Sequence, residues 1–236
     1  MLRCKQWSSI ILKNINVFFQ NVQKNNLLTN TILEAQKEFN IIFIQELLWN
    51  FICSISSLSN REGKELVSVS NHPNWTTFSR NSSNPHDSSR IIIYISTQLA
   101  NLCFALCKDI FNYRDISCIS FFNCSSIYLL PNVYSDLSQL ALKYLKDTEV
   151  NINNVFIMIG DFNIRDSLWD LTFPYYLIHR DILTNIANSF QLGISNPIVQ
   201  VPMRYTDNWD NSDLVINLMF LRPMLEEFNN HSILPD

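Results

Sequence analysis

Val155-Phe-Ile-Met-Ile-Gly-Asp-Phe-Asn163 decides the fold. Its apolar, partly β-branched run is too short for a core helix and reads as a buried strand from Val155 to Asp161. Gly160, one of three glycines in the chain, allows a close turn there, so that the following side chains project from a sheet edge. Side chains alternate along a strand, so Asp161 and Asn163, two residues apart, are expected on one face. A carboxylate so placed can deprotonate a water, and an amide can donate to a phosphate oxygen as charge builds. The same four residues, Gly-Asp-Phe-Asn, equally describe a strand that ends in an Asx turn.

Three further segments repeat the arrangement of an apolar strand closing on a polar side chain. Ile41-Ile-Phe-Ile-Gln-Glu46 ends in a carboxylate that is costly to bury unless it is paired or bound to a cation. Mg²⁺ favours such oxygen ligands; a terminus that simply meets solvent is the other reading. Asn16-Val-Phe-Phe-Gln-Asn21 closes on an amide. Tyr128-Leu-Leu-Pro-Asn-Val-Tyr-Ser135 brings Tyr134 to a strand end, where its hydroxyl can meet a phosphate or its ring can fill a core.

Between these lie amphipathic stretches, which gives a mixed α/β pattern. Helices are predicted over Asn26–Phe39, Leu47–Leu58, Leu137–Lys146 and Arg180–Phe190. Strands are predicted over Ile15–Asn21, Ile41–Glu46, Leu66–Ser70, Trp75–Phe78, Ile91–Ile95, Ile116–Phe122, Ile127–Tyr134, Val155–Asp161 and Leu214–Leu221. Consecutive strands imply antiparallel pairing, and Ser79–Arg90 reads as a polar loop.

At 236 residues and 47% hydrophobic content the chain suffices for one core. No apolar run approaches the ~20 residues of a bilayer span. The first ten residues lack an apolar h-region, so a place inside the cell, nuclear or cytoplasmic, is expected. The six cysteines include no CxxC pair, which argues against a zinc cage. A net charge of −4 excludes a strongly basic DNA-binding footprint, so any nucleic-acid contact must be local or metal-bridged.

In sequence order, Asn21, Gln45-Glu46, Asn132-x-Tyr134 and Gly160-Asp161-Phe162-Asn163 resemble the endonuclease/exonuclease/phosphatase superfamily. The branch resembled is the apurinic-endonuclease-like domain of LINE-type (non-LTR) retrotransposons. The likeness runs over residues 14–236, with 1–13 left as a ragged leader. It implies a four-layer α/β/β/α sandwich of two mixed, largely antiparallel sheets with the site at the mouth between them. It also implies hydrolysis of DNA phosphodiesters with Mg²⁺ or Mn²⁺. Glu46 and Asn21 would hold the metal, Tyr134 would contact the phosphate, Asp161 would activate water and Asn163 would stabilise the developing charge.

The chain departs from the pattern in two places. Where the family shows Ser-x-Ile-Asp-Leu, this chain reads Asn211-Ser-Asp-Leu-Val-Ile-Asn-Leu218, so Asn217 stands in the aspartate's place as a degenerate catalytic position. An amide cannot stabilise a protonated histidine by charge. The family's closing Ser-Asp-His triplet is not reached by His231-Ser-Ile-Leu-Pro-Asp236, so a domain lacking its last strand and its catalytic histidine is expected. His72, His86, His179 and His231 lie in no motif that would replace it. Three readings follow: a nuclease with impaired activity, a non-enzymatic transposon remnant that binds nucleic acid weakly or not at all, and the same fold turned to a lipid phosphodiester.

Overall fold

A computed structural model describes residues 15–36, 38–47, 53–55, 66–68, 72–79, 89–99, 104–107, 110–111, 113–123, 126–136, 138–148, 154–164, 179–194 and 217–221. The strand Ile41–Gln45 (β2) shows how the layers arise. All five of its residues are buried. Ile41 and Phe43 pack on one side and Ile42 and Ile44 on the other, because alternate side chains leave opposite faces of a strand. A strand covered on both faces carries no polar alternation, which is why its sequence is a continuous apolar run.

The first sheet has the order β1-β2-β6-β5, with β1 at Val17–Asn21, β5 at Trp75–Phe78 and β6 at Ile91–Ser96. Strand β1 runs parallel to β2, and the other pairs are antiparallel. The second sheet has the order β11-β12-β10-β9-β8-β7. Its strands are β7 (Phe104–Leu106), β8 (Ile116–Asn123), β9 (Ser126–Tyr134), β10 (Ile157–Asp161), β11 (Gly193–Ile194) and β12 (Asn217–Leu221). Only β9 and β10 pair in parallel in this sheet.

Ile41, Phe43, Ile93 and Ile95 of the first sheet meet Ile119, Phe121, Leu130, Ile157, Ile159 and Met219 of the second, forming the central core. The helix Asn26–Ala35 (α1) covers the outer face of the first sheet through Ile32 and Leu33. Helices Leu140–Asp147 (α2) and His179–Ser189 (α3) cover the second through Leu142, Leu145, Leu183 and Ile186. The result is the expected α/β/β/α sandwich of two mixed, largely antiparallel sheets.

Helix α1 begins where the Asn25 side chain accepts a hydrogen bond from Leu28 N at 3.1 Å. Asn25→Ala should therefore cost about 1 kcal/mol in denaturant unfolding; an unchanged midpoint would show that the cap contributes nothing. The helix stops at Ala35, short of the predicted Phe39. Phe39 instead packs against Phe18 with the rings tilted and their centres 5.2 Å apart, and Asn40 leaves helical geometry to bond Asn16 from both its backbone and its side chain.

The predicted helix over Leu47–Leu58 is corrected. Cys53–Ile55 (β3) is a strand paired antiparallel with Leu66–Ser68 (β4), so pairing with a partner more than ten residues away overrides the local helical periodicity. Leu47 is held by donation from its N–H to Arg90 O at 3.0 Å; residues 48–52 and 56–58 lie outside the described residues. Val155 forms an isolated bridge to Leu129 before β10 begins. From Leu129↔Val155 to Asn132↔Ile159, β9 advances three residues and β10 four. The extra residue is accommodated on β10 between these two pairs. Strand β12 is described from Asn217, and residues 214–216 of its predicted span lie outside the described residues. Strands β7 and β11 and the 3₁₀ turn Thr97–Leu99 were not predicted.

Candidate active site

The parallel pairing of β1 with β2 places Asn21 opposite Gln45, with Glu46 the next residue. In the second sheet Tyr134, Asp161 and Asn217 stand in one row, because β10 pairs Asp161 with Tyr134 on one side and with Asn217 on the other. Two hydrogen bonds join these strand ends across the sandwich. Asn21 Nδ2 donates to Asp161 Oδ2 at 2.5 Å, and Tyr134 OH donates to Glu46 Oε1 at 2.5 Å. The carboxylates of Glu46 and Asp161 therefore share one mouth. Asn217 reaches the same row by its backbone register.

Asp161 is fully buried, and Asn21 and Tyr134 are nearly so. Burial raises the pKa of the Tyr134 phenol, and the bonded, negatively charged Glu46 raises it further. The group thus stays a neutral hydroxyl that can donate a hydrogen bond. Glu46 has φ 50° and Asn163 has φ 48°, left-handed values that non-glycine residues seldom adopt. Such strain persists where surrounding contacts over-determine it. Lys24 N donating to Glu46 O at 2.7 Å and Leu47 N bonding Arg90 are contacts of that kind.

Asn163 does not share a strand face with Asp161. The strand ends at Asp161, and Asn163 N donates to Asp161 Oδ1 at 3.1 Å, so an Asx turn forms and the alternation of side chains is lost. Asn163 Nδ2 donates to Ser135 O at 2.9 Å, which places its amide beside the end of β9. Gly160 also acts differently from expectation. It lies within β10, and a Cβ there would sit 2.2 Å from Val133 O, so close approach of β9 to β10 requires glycine.

Sequence reasoning gave no role to a polar support beneath the mouth. Gln45 Nε2 donates to Asn132 Oδ1 at 2.7 Å, and Asn132 Nδ2 reaches Ile44 O and Ile92 O, each at 3.3 Å. These bonds tie the two sheets together just below the strand ends. Both residues were quoted in the motifs, and their spacing from Glu46 and Tyr134 was the available signal.

Arg90 was likewise missed. It closes the predicted polar loop and lies with its guanidinium 4.3 Å over the Tyr134 ring. It binds Asp115 through Nε at 2.7 Å and Nη2 at 2.5 Å, and Asp136 through Nη2 at 3.1 Å. Burial works against its charge, yet Asp115 and Asp136 outweigh that and hold the guanidinium more firmly protonated than usual.

The endonuclease domain of TRAS1, a telomere-specific non-LTR retrotransposon, superposes with a TM-score of 0.64 over 90% of this chain and 87% of that one, at 16% identity. This chain has the endonuclease/exonuclease/phosphatase fold. An endonuclease/exonuclease/phosphatase family protein from Leptotrichia buccalis aligns at TM-score 0.45 and 14% identity, covering 87% of each chain. D. rerio TDP2, humanized by 14 mutations, aligns at 0.45 and 12%, covering 89% of this chain and 84% of that one. No family model matches the sequence, and no curated protein does. In this chain the hydrogen bonds between the sheets lie where β1, β2, β9 and β10 end. No helix among the described residues is long and apolar enough to cross a membrane.

Proposed function

We propose that this chain is a divalent-metal-dependent phosphodiesterase domain of the retrotransposon endonuclease kind, acting on DNA with impaired efficiency. The observation that carries the proposal is the convergence of Asn21, Glu46, Tyr134 and Asp161 at one mouth, tied by two hydrogen bonds between the sheets. The donor set fits Mg²⁺ or Mn²⁺. It consists of oxygen atoms, with two carboxylates, the ligands that hard divalent cations favour. Glu46 and Asn21 would hold the cation, which when bound polarises a phosphate oxygen as a Lewis acid.

The protein's own groups supply the remaining steps. Tyr134, kept neutral by its surroundings, turns its one proton from Glu46 to a phosphate oxygen and orients it. Asp161 accepts the proton of the attacking water. Its oxygens also accept from Asn21 at Oδ2 and from Asn163 N at Oδ1, which hold the carboxylate in place. The second proton of the Asn163 amide is directed at the charge that develops on the phosphorus oxygens.

Asn217 accounts for the impairment. It stands in register with Asp161, where the resemblance calls for a carboxylate. In a serine-protease triad the Asp→Asn exchange lowers turnover about 10⁴-fold. The purified 236-residue chain should therefore nick supercoiled plasmid slowly with Mg²⁺ or Mn²⁺ and lose that activity in Asp161→Ala. Equal rates for the parent and Asp161→Ala would refute the enzyme reading.

The same Asn217 favours a second reading, a non-enzymatic remnant that retains weak nucleic-acid binding. Saturable binding of labelled DNA, with no nicking by the parent or by Asn217→Asp, would establish it. Because one fold hosts several phosphodiester chemistries, a parallel panel of phosphoinositide and sphingolipid substrates belongs in the assay. Preference for a lipid would overturn the choice of DNA.

A further inference from the structure

Cys107 and Cys118 lie across from each other at the edge of the second sheet. The β7–β8 register pairs Phe104 with Phe121, Ala105 with Ser120 and Leu106 with Ile119, and one more step brings Cys107 opposite Cys118. Cys107 N donates to Cys118 O at 2.8 Å, so the ladder continues through this position. Directly opposed residues of an antiparallel pair project to the same face with Cα atoms about 4.5–5.5 Å apart. That lies within the ~4.4–6.8 Å spanned by disulfides.

The two thiols differ in surroundings. Cys118 is buried and Cys107 is partly exposed. Burial pushes the Cys118 thiol well up, and the Cys107 thiol, within hydrogen-bonding reach, pushes it further. The exposed thiol can meet a reagent from solution, and the buried one can meet only its neighbour.

We propose that Cys107 and Cys118 form a dithiol that closes to a cross-strand disulfide when the protein meets a small disulfide such as oxidised glutathione. The Cys107 thiolate attacks one glutathione sulfur and releases the first glutathione thiol, leaving a mixed disulfide. Cys118 gives up its proton and attacks the Cys107 sulfur, and the second glutathione leaves. Two protein thiols are oxidised, one glutathione disulfide is reduced to two thiols, and no other oxidant is needed.

The bond staples β7, an edge strand of its sheet, to β8 at the end nearer the mouth. Three residues before Cys118 lies Asp115, which accepts from Tyr134 N through its carbonyl and from Arg90 through its carboxylate. The staple thus restrains the strand that carries the Arg90 partner. The inference does not rest on the proposed activity, and its test reads thiols alone.

The full chain, incubated with oxidised glutathione, quenched by acid, alkylated after unfolding and mapped by mass spectrometry, should give a linked Cys107–Cys118 peptide pair. Thiols open to alkylation should fall by two, and reductant should restore them. Cys107→Ser should abolish the linked pair. A stable Cys107–glutathione adduct, linkage of Cys107 to Cys103 or Cys124, or a disulfide between two chains as the main product would each overturn the proposal. The map of the unsubstituted chain decides the matter even if the serine variant fails to fold.

Discussion

Gly160→Ala should destabilise the protein by roughly 3 kcal/mol or more, the upper end of what overpacking a tight interior costs. The added Cβ would lie 2.2 Å from Val133 O, 3.0 Å from Val133 C and 3.1 Å from Phe162 Cζ. Two of those three atoms are backbone, held in register by pairing on either side. Val133 pairs with Ile116 of β8 and Gly160 with Leu218 of β12, so neither strand can withdraw without breaking a second ladder. Against a total stability of ~5–15 kcal/mol, the loss is a large fraction of the whole.

The same shift reaches the site. The residue after Val133 is Tyr134 and the residue after Gly160 is Asp161, so parting β9 from β10 separates the two. Urea unfolding of parent and variant gives the stability difference from the two midpoints. A difference within about 0.5 kcal/mol, the scatter of ordinary surface substitutions, would show that the strands accommodate the methyl group.

Gly160 also shows what the sequence could convey. Its position beside Asp161 marked a functional strand end, but the reason for glycine is a neighbouring strand's carbonyl, and no linear pattern announces which strand will lie alongside. The layers were legible because strands covered on both faces, such as Ile41–Gln45, leave unbroken apolar runs. The strand at Cys53–Ile55 was not, since its partner at Leu66–Ser68 lies beyond the window over which helical periodicity is read.

The candidate site was legible to the extent that each polar residue ends an apolar run. Asn21, Glu46, Tyr134 and Asp161 all do so, and they converge. Asn163 misled because alternation holds only while the strand lasts, and the strand gives way to an Asx turn at Asp161, two residues before Asn163. Arg90 and Asp115 come from different strand starts and belong to no motif, so their pairing appears only once β6 and β8 are placed in space.

That pairing sets up the second large effect. Asp115 has a side chain only 2% exposed, and Arg90, at 21%, binds both of its oxygens. Removing one member of a buried pair leaves the other charge uncompensated, which typically costs ~3–5 kcal/mol. Arg114, whose Nε lies 3.2 Å from Asp115 Oδ2 but whose side chain is 45% exposed, can offset only part of this. Arg90→Met should therefore cost about 3 kcal/mol at neutral pH. Arg90→Lys should fall between parent and Met, because an ammonium cannot reproduce the two-pronged geometry.

The partner substitution separates the pair from its members. Asp115→Asn removes the charge that Arg90 would otherwise leave stranded, so the double variant should lose less than the sum of the single losses. Acid adds an independent axis. Burial opposes the Asp136 charge, but Ser138 and Arg90 outweigh it and hold its carboxyl below the usual carboxylate range. A lowered folded-state pKa contributes stability that is present above the unfolded value and is lost as pH falls through the folded one. Arg90→Met removes one cause of that lowering, so the parent should lose more stability than the variant between pH 6 and pH 2. Urea titrations of the five proteins at both pH values measure all of this. Additive losses at neutral pH, together with parallel acid limbs, would mean that Arg90 acts on Tyr134 by packing and holds no buried charge in balance.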